Sequence, residues 1–216
     1  MKNILKKSIL FKDIEISLLD SMLTCLGPIQ KNFSKNQTIL GFGEKTSHLG
    51  IVLSGEVHII KDDFWGNESI LTQLGPGDIF GETYAALKNK PLEVNVVSKT
   101  DTKILFINID KILNQCSNTC SHHLELTTNF LQLLARKNIM LTRKITHLTQ
   151  RTTRKKLLSY LSSVSLEASS NSFEIPFNRQ QLADYLAVDR SALSYQLSLL
   201  KRDGVLSYNK NKFILY

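Results

Sequence analysis

The first 135 residues of this 216-residue chain contain no arginine, and all seven arginines lie at or after Arg136. The chain also has only four prolines, one tryptophan and three cysteines. A small, odd number of cysteines argues against a disulfide framework and is typical of a reducing compartment. No run approaches the ~18 consecutive apolar residues of a membrane helix, and the lysine-rich start lacks the apolar stretch of a signal peptide. We therefore expect a cytoplasmic protein that does not contact membranes.

Sequence motifs of common enzymes are missing as well. The chain has no phosphate-binding loop, no GxSxG motif and no HExxH motif, and its five histidines have no partners at a recognisable spacing. His147 is predicted to have a solvated structural role near the end of a long helix. We expect no catalytic residue, no cofactor and no resident metal, so the chain is not predicted to be an enzyme.

The net charge of +8 is distributed unevenly. Residues 1–115 contain 13 lysines and 13 acidic residues and are neutral, whereas residues 149–216 contain ten basic residues against five acidic ones. A neutral domain joined to a basic one is the pattern expected when the basic domain binds a polyanion.

Glycine spacing divides the chain further. Eight of the ten glycines lie between Gly41 and Gly81, among short alternating apolar runs that predict a small antiparallel sandwich or barrel. Residues 64–67, Phe-Trp-Gly-Asn, are predicted to form a hairpin tip. We expect a β-rich domain over 1–115, a helical segment over 116–148 and a basic domain over 149–216.

A long helix is predicted from about residue 117 to 147, a range without glycine or proline. Residues seven apart give it the a and d positions of a heptad repeat, the seam of a two-helix coiled coil, with Thr127 starting the d series. The predicted dimer interface consists of Leu124, Leu131, Leu134, Asn138, Leu141, Ile145 and Leu148. A second apolar row is expected to pack on the β-rich domain, namely Leu126, Phe130, Leu133 and Met140. The alternative is that the whole stripe packs within one chain.

Two short helices joined by a tight turn follow near the C-terminus, RQQLADYLA from residue 179 and RSALSYQLSLLKR from residue 190. A second helix with arginine and small polar residues near its start has the form of a helix-turn-helix. Arginine can donate two hydrogen bonds to guanine, and the surrounding cations suit phosphates. The predicted DNA-binding residues are Arg179, Arg190, Ser191, Ser194, Tyr195, Lys201 and Arg202. Lys210 and Lys212 lie in the terminal hairpin, which we expect to be a wing.

The whole chain resembles the cAMP receptor protein/fumarate-nitrate regulator (Crp/Fnr) superfamily. The motifs that carry the resemblance are SGEV (54–57), PGDIFGE (76–82), RTTRKKLLSYL (151–161) and RQQLADYLAVDRSALSYQLSLLKRDGVL (179–206). The resemblance implies an α+β fold with three parts. These are a cyclic-nucleotide-binding-like β-roll (a double-stranded β-helix or jelly roll) as the sensor domain over 1–115, a long dimerisation helix over 116–148 and a C-terminal winged helix-turn-helix DNA-binding domain over 149–216. It also implies a homodimer that regulates transcription from a palindromic operator in double-stranded DNA, with RNA polymerase as a partner if it activates.

Relatives that bind cAMP hold the ribose with a glutamate and the phosphate with an arginine followed by serine or threonine. Glu82 matches the glutamate, but Leu92 and Glu93 stand at the other two positions, where leucine cannot pair with phosphate and a carboxylate would repel it. We therefore expect a small effector that is not a cyclic nucleotide. The candidate pocket residues are Glu82, Leu92, Glu93 and Asn138.

Two alternatives remain open. The signal could be redox or metal, sensed by Cys116 and Cys120, which share a helix face at i and i+4 and precede two histidines, although the spacing fits no standard zinc pattern. The other alternative is a dimeric signalling module that binds protein rather than DNA.

Overall fold

The computed structural model describes residues 1–63, 65, 68–114 and 121–216. The described chain forms two compact units, Met1–Ala135 and Arg136–Tyr216. The division falls within one long helix, and the predicted boundary at 115/116 lies outside the described residues. The three-part division therefore stays a prediction, and each unit is described by itself.

The N-terminal unit contains eight strands and five helices among the described residues. Its helices are α1 (Lys2–Leu5), α2 (Leu19–Leu26), α3 (Glu82–Ala86), α4 (Ile109–Leu113) and α5 (Ser121–Leu148), the last continuing into the second unit. Its strands are β1 (Ile29–Phe33), β2 (Thr38–Leu40), β3 (His48–Ser54), β4 (Val57–Asp62), β5 (Glu68–Leu74), β6 (Ile79–Phe80), β7 (Asn95–Ser98) and β8 (Thr102–Asn108). Two short 3₁₀ turns, Ile9–Phe11 and Ile16–Leu18, join α1 to α2.

The strands form two antiparallel sheets with the orders β1-β8-β3-β6 and β2-β7-β4-β5. β4 and β5 pair from Val57 opposite Leu74 to Asp62 opposite Glu68, which agrees with a hairpin between them. Three residues of the predicted tip (64, 66 and 67) lie outside the described residues. The two sheets make the predicted β-roll.

The first sheet is covered on both faces, which explains the nearly continuous apolar run in β3. Leu49 and Ile51 pack into a cluster with the N-terminal helices and α5, whereas Val52 packs inside the roll with Phe80. Residues 49–53 are all buried, so β3 lacks the alternating exposure of a half-buried strand. A Cβ at Gly50 would stand 2.2 Å from the Phe80 ring, so only glycine fits there.

The start of α5 packs on this sheet, as its second apolar row predicts. Leu126, Phe130 and Leu133 are buried in the same cluster as Leu49. Asn129 fixes the helix to the N-terminal segment, because its side-chain amide donates to the backbone carbonyls of residues 10 (3.2 Å) and 12 (2.8 Å). Met140, which the pattern also places in this row, is exposed, so that prediction was wrong.

The C-terminal unit is a small winged domain. It contains the end of α5, then α6 (Thr153–Ala168), β9 (Ser172–Glu174), α7 (Arg179–Tyr185), α8 (Arg190–Arg202), β10 (Leu206–Asn209) and β11 (Lys212–Leu215). The strands form one antiparallel sheet in the order β10-β11-β9. The helices enclose a core with the sheet, and its fully buried members include Leu157, Leu182, Leu197 and Phe213. β10, β11 and the turn between them are the wing.

Candidate nucleic-acid interface and sensor domain

The start of α8 is fixed by a side-chain cap. The carboxylate of Asp189 accepts from the backbone N–H groups of Ser191 (2.7 Å) and Ala192 (3.3 Å) and from the Ser191 hydroxyl (2.5 Å). These hydrogen bonds lower the pKa of Asp189, the one to the Ser191 hydroxyl contributing most. Ser191 is thus part of the cap as well as of the exposed surface.

α8 has one apolar face and one polar face, as its sequence predicts. Leu193, Leu197 and Leu200 are fully buried. The other face is exposed and carries Arg190, Ser191, Ser194, Tyr195, Lys201 and Arg202. Six of the seven predicted DNA-binding residues therefore lie together on the solvent side of one helix.

The turn between α7 and α8 is stabilised by a side chain from α6. Ala187 has a left-handed backbone with φ +47°, which residues other than glycine rarely adopt. The ammonium group of Lys156 on α6 donates to the carbonyls of Leu186 and Ala187, both at 3.2 Å. These bonds satisfy carbonyls at the end of α7 and tie α6 to the turn.

Arg179, the seventh predicted DNA-binding residue, lies elsewhere and is half-buried. It is the first residue of α7, after a capping box formed by Asn178 and Gln181. Its guanidinium lies over the ring of Tyr208 and donates to the backbone carbonyl of Lys210 at 2.7 Å. Arg179 is thus bound to the wing, an arrangement that its sequence position does not indicate.

His147 was predicted to be solvated, and that prediction was wrong. The residue is only 3% exposed, its Nδ1 shares a 2.9 Å hydrogen bond with the Ser159 hydroxyl, and its ring packs edge-on against Tyr160. Burial, and after it the positive charge of Arg143, lower the pKa of His147. The end of α5 is therefore anchored in the C-terminal unit by the buried imidazole of His147.

The predicted effector residues lie in different surroundings. Glu82 is the buried first residue of α3, and Leu92 is 1% exposed inside the β-roll, in the same cluster as Phe80. Glu93 is exposed and pairs with Lys90 at 3.1 Å. Asn138 is exposed and belongs to the C-terminal unit. A pocket lined by all four residues stays a prediction.

The predicted dimer seam is largely unpaired within the chain. Leu124, Leu131, Leu141 and Ile145 are between 60% and 68% exposed. The d positions nearer the start of the helix differ, because they face the N-terminal unit. There Thr127 donates its hydroxyl to the carbonyl of residue 112 at 2.8 Å. The remaining seam residues are Leu134 and Leu148, which are half-buried, and Asn138, which is exposed.

Metal and membrane features are not found in the described part of the chain. Within those residues no group of three or more His, Cys, Asp or Glu side chains is arranged to hold a metal ion. The predicted pair Cys116 and Cys120 lies outside the described residues. Among the helices that the structure describes, none has the length and apolarity needed to cross a bilayer.

Comparison with known proteins identifies both units. The family model of the cyclic nucleotide-binding domain matches residues 30–119, and the model of the Crp-like helix-turn-helix domain matches residues 155–215. The chain belongs to the Crp/Fnr superfamily. As a Crp/Fnr-type protein it is a DNA-binding transcription regulator, and the α+β fold expected from its motifs is confirmed.

Three relatives of this Crp/Fnr protein illustrate the similarity. It is 22% identical to the transcriptional activator protein FnrL of Cereibacter sphaeroides over 197 residues, 86% of this chain and 75% of that one. It is 34% identical to the CRP-like cAMP-activated global transcriptional regulator of Mycobacterium tuberculosis over 82 residues, 38% of this chain and 36% of that one. Among solved structures, the c-di-GMP responsive global regulator CLP of Xanthomonas campestris shares the fold with a TM-score of 0.59 at 19% identity, covering 94% of this chain and 99% of that one.

Proposed function

We propose that the protein acts as a homodimer that binds a palindromic operator through the α8 helices of its two protomers. The observation that carries the proposal is the exposed polar face of α8, which begins with Arg190 and lies opposite three fully buried leucines. A helix of this kind presents its N-terminal residues to base edges in the major groove. Arg190 is then the residue that reads guanine, through two parallel hydrogen bonds.

The distribution of charge supports the same role. The ten basic residues of 149–216 outnumber the acidic ones two to one, whereas residues 1–115 are neutral. Lys201 is exposed on α8, and Lys210 and Lys212 are exposed in the wing. Such side chains contact phosphates, which position a protein on the duplex without reading its sequence.

The exposed seam of α5 supports the dimer. Leu124, Leu131, Leu141 and Ile145 leave most of their surface in solvent in the single chain. Contiguous exposed apolar surface of this kind marks a site of association, and a heptad repeat is self-complementary when two copies pair. Asn138 at its a position would favour two strands over three.

The interior of the β-roll supports an effector other than a cyclic nucleotide. Leu92 occupies the position of the phosphate-binding arginine and is buried among apolar side chains, where it offers no donor to an anion. No arginine precedes residue 136 to replace it. The proposed effector is a small molecule that binds through Glu82 and apolar contacts. If the protein activates transcription, RNA polymerase is a further partner.

Two substitutions test base reading against phosphate contact. Arg190→Ala should weaken binding to the best duplex by about 1–3 kcal/mol, or about 5- to 150-fold, and relax one base position. Lys212→Ala, the matched control, should weaken binding to all duplexes alike and reduce the slope of log affinity against log salt by about 0.9.

The outcomes separate the proposed function from its rivals. If the two variants lose affinity equally on specific and scrambled duplexes, Arg190 does not read bases. If the unmodified protein binds duplex DNA weakly and without salt dependence, a protein-binding module replaces the DNA-binding regulator as the better explanation.

A further inference from the structure

A cluster of two cations and two aromatic rings joins the wing to both helices of the helix-turn-helix. We call Arg179, Lys201, Tyr208 and Phe213 the wing clamp. The Arg179 guanidinium lies 4.9 Å from the centre of the Tyr208 ring and 5.3 Å from that of Phe213. The Lys201 ammonium lies 5.4 Å from the same Tyr208 ring. Tyr208 is therefore held by one cation from α7 and one from α8.

Arg179 also fixes the turn of the wing. One of its terminal nitrogens donates to the carbonyl of Lys210 at 2.7 Å, and Lys210 has a left-handed backbone with φ +53°. A lysine persists in that conformation only where the surroundings impose it. The second turn residue, Asn211, donates its side-chain amide to the Glu174 carboxylate at 2.7 Å. Both residues of the turn are thus bonded to neighbouring elements.

The start of α7, where Arg179 lies, is electrostatically unfavourable for a positively charged side chain. Arg179 is the first residue of α7, and the start of a helix carries partial positive charge. Its guanidinium faces two rings and a carbonyl, and partial burial lowers its pKa. Lys210 and Lys212 of the same wing are exposed. The contacts of Arg179 thus lie within the protein, whereas the side chains of Lys210 and Lys212 face solvent.

We infer that Arg179 is a positioning residue of the DNA interface and not one of its phosphate contacts. Through Tyr208 and the Lys210 carbonyl it fixes the wing relative to α7 and α8, so that Lys210 and Lys212 meet the phosphates when α8 enters the groove. The inference rests on the proposed function, because it assigns how the same DNA interface is assembled.

The first test measures the wing without DNA. Amide hydrogen exchange is followed over residues 206–215 of the full-length protein in Arg179→Lys, Arg179→Gln and Lys212→Ala. Lysine keeps the charge but lacks the planar, five-donor fork of arginine, so both Arg179 variants should exchange about tenfold faster or more in the wing. Lys212→Ala should leave wing exchange unchanged, and the core amides of α8 report whether each variant is folded.

The second test measures the salt dependence of duplex binding. If the wing is misplaced, Arg179→Lys loses two lysine–phosphate contacts and the slope of log affinity against log salt falls by about 1.8, against about 0.9 for Lys212→Ala. If Arg179→Lys keeps both the slope and the wing exchange of the unmodified protein while Arg179→Gln lowers the slope by about 0.9, Arg179 is a phosphate contact and the inference is overturned.

The two measurements also separate this inference from the proposed function. Should the unmodified protein fail to bind duplex DNA, the proposed function fails, and unchanged wing exchange in Arg179→Lys would independently refute the clamp. Should Arg179→Gln unfold, Arg179→Lys alone decides, because it keeps the charge and removes only the fork.

Discussion

Replacing Leu131 with alanine tests whether the exposed stripe of α5 is an interface between two copies of the chain. Leu131 is 64% exposed in the single chain. Burying a leucine completely contributes about 1.5–3 kcal/mol, so covering the exposed part contributes about 1–2 kcal/mol per copy. A symmetric dimer contains the contact twice, and alanine retains a little of it. We therefore expect a loss of about 2–3 kcal/mol of association free energy, which is about 30- to 150-fold in the dimer dissociation constant.

Sedimentation equilibrium over a range of protein concentrations measures that constant directly. Leu166→Ala is the matched control, because Leu166 is 78% exposed but lies on α6, outside the seam. The control should dissociate like the unmodified protein. Equal dissociation constants for the two variants, or a monomeric unmodified protein at micromolar concentration, would refute the assignment of the seam.

Two further substitutions probe the C-terminal unit. Ala187→Gly should stabilise the protein by about 0.5–1 kcal/mol, because glycine adopts the left-handed φ of +47° without strain. Chemical denaturation measures the unfolding free energy, and an unchanged or lower value would contradict this expectation. His147 has a pKa below its ordinary value of 6.5, so its contribution to stability is present above pH 6.5 and is lost as the pH falls below it, since the unfolded chain then binds the proton more readily. Unfolding free energies at pH 7.5 and 5.5 should therefore differ less in His147→Gln than in the unmodified protein, and equal losses would contradict the burial argument.

The local patterns of the sequence predict the helix-turn-helix well. Leu193, Leu197 and Leu200 repeat at helical spacing, and Asp189 precedes the first turn, so the buried face and the cap of α8 are local properties. The same reasoning places Arg190 on the exposed face. Features of this kind depend on neighbours three or four residues away along one helix, and the sequence displays them directly.

The partners of Arg179 and His147 could not be predicted in this way. In the sequence, Arg179 looks like a surface cation beside a DNA-reading helix. Its guanidinium lies over Tyr208 because the fold brings β10 next to the start of α7. His147 follows the exposed seam by two residues, yet α6 covers it with Ser159 and Tyr160. The surroundings of both residues depend on contacts with residues distant in sequence, which a local sequence pattern does not predict.

The β-roll shows the same limit at Leu92. The sequence indicates that leucine replaces the phosphate-binding arginine, which is a chemical statement about one position. Its burial in the same apolar cluster as Phe80 depends on how β6 and the segment before β7 meet inside the roll. For Asn138, the heptad position is evident from the sequence, whereas a place in an effector pocket is not.

The central claim, sequence-specific DNA binding by a dimer, is tested most directly by selection from a random duplex library with the purified full-length protein. The selection is run in buffer, with cAMP, and with an extract of cell metabolites. We predict enrichment of an inverted repeat whose half-sites are centred about one helical turn, ~34 Å, apart, with no added enrichment from cAMP. Failure to enrich any inverted repeat under all three conditions would contradict the account.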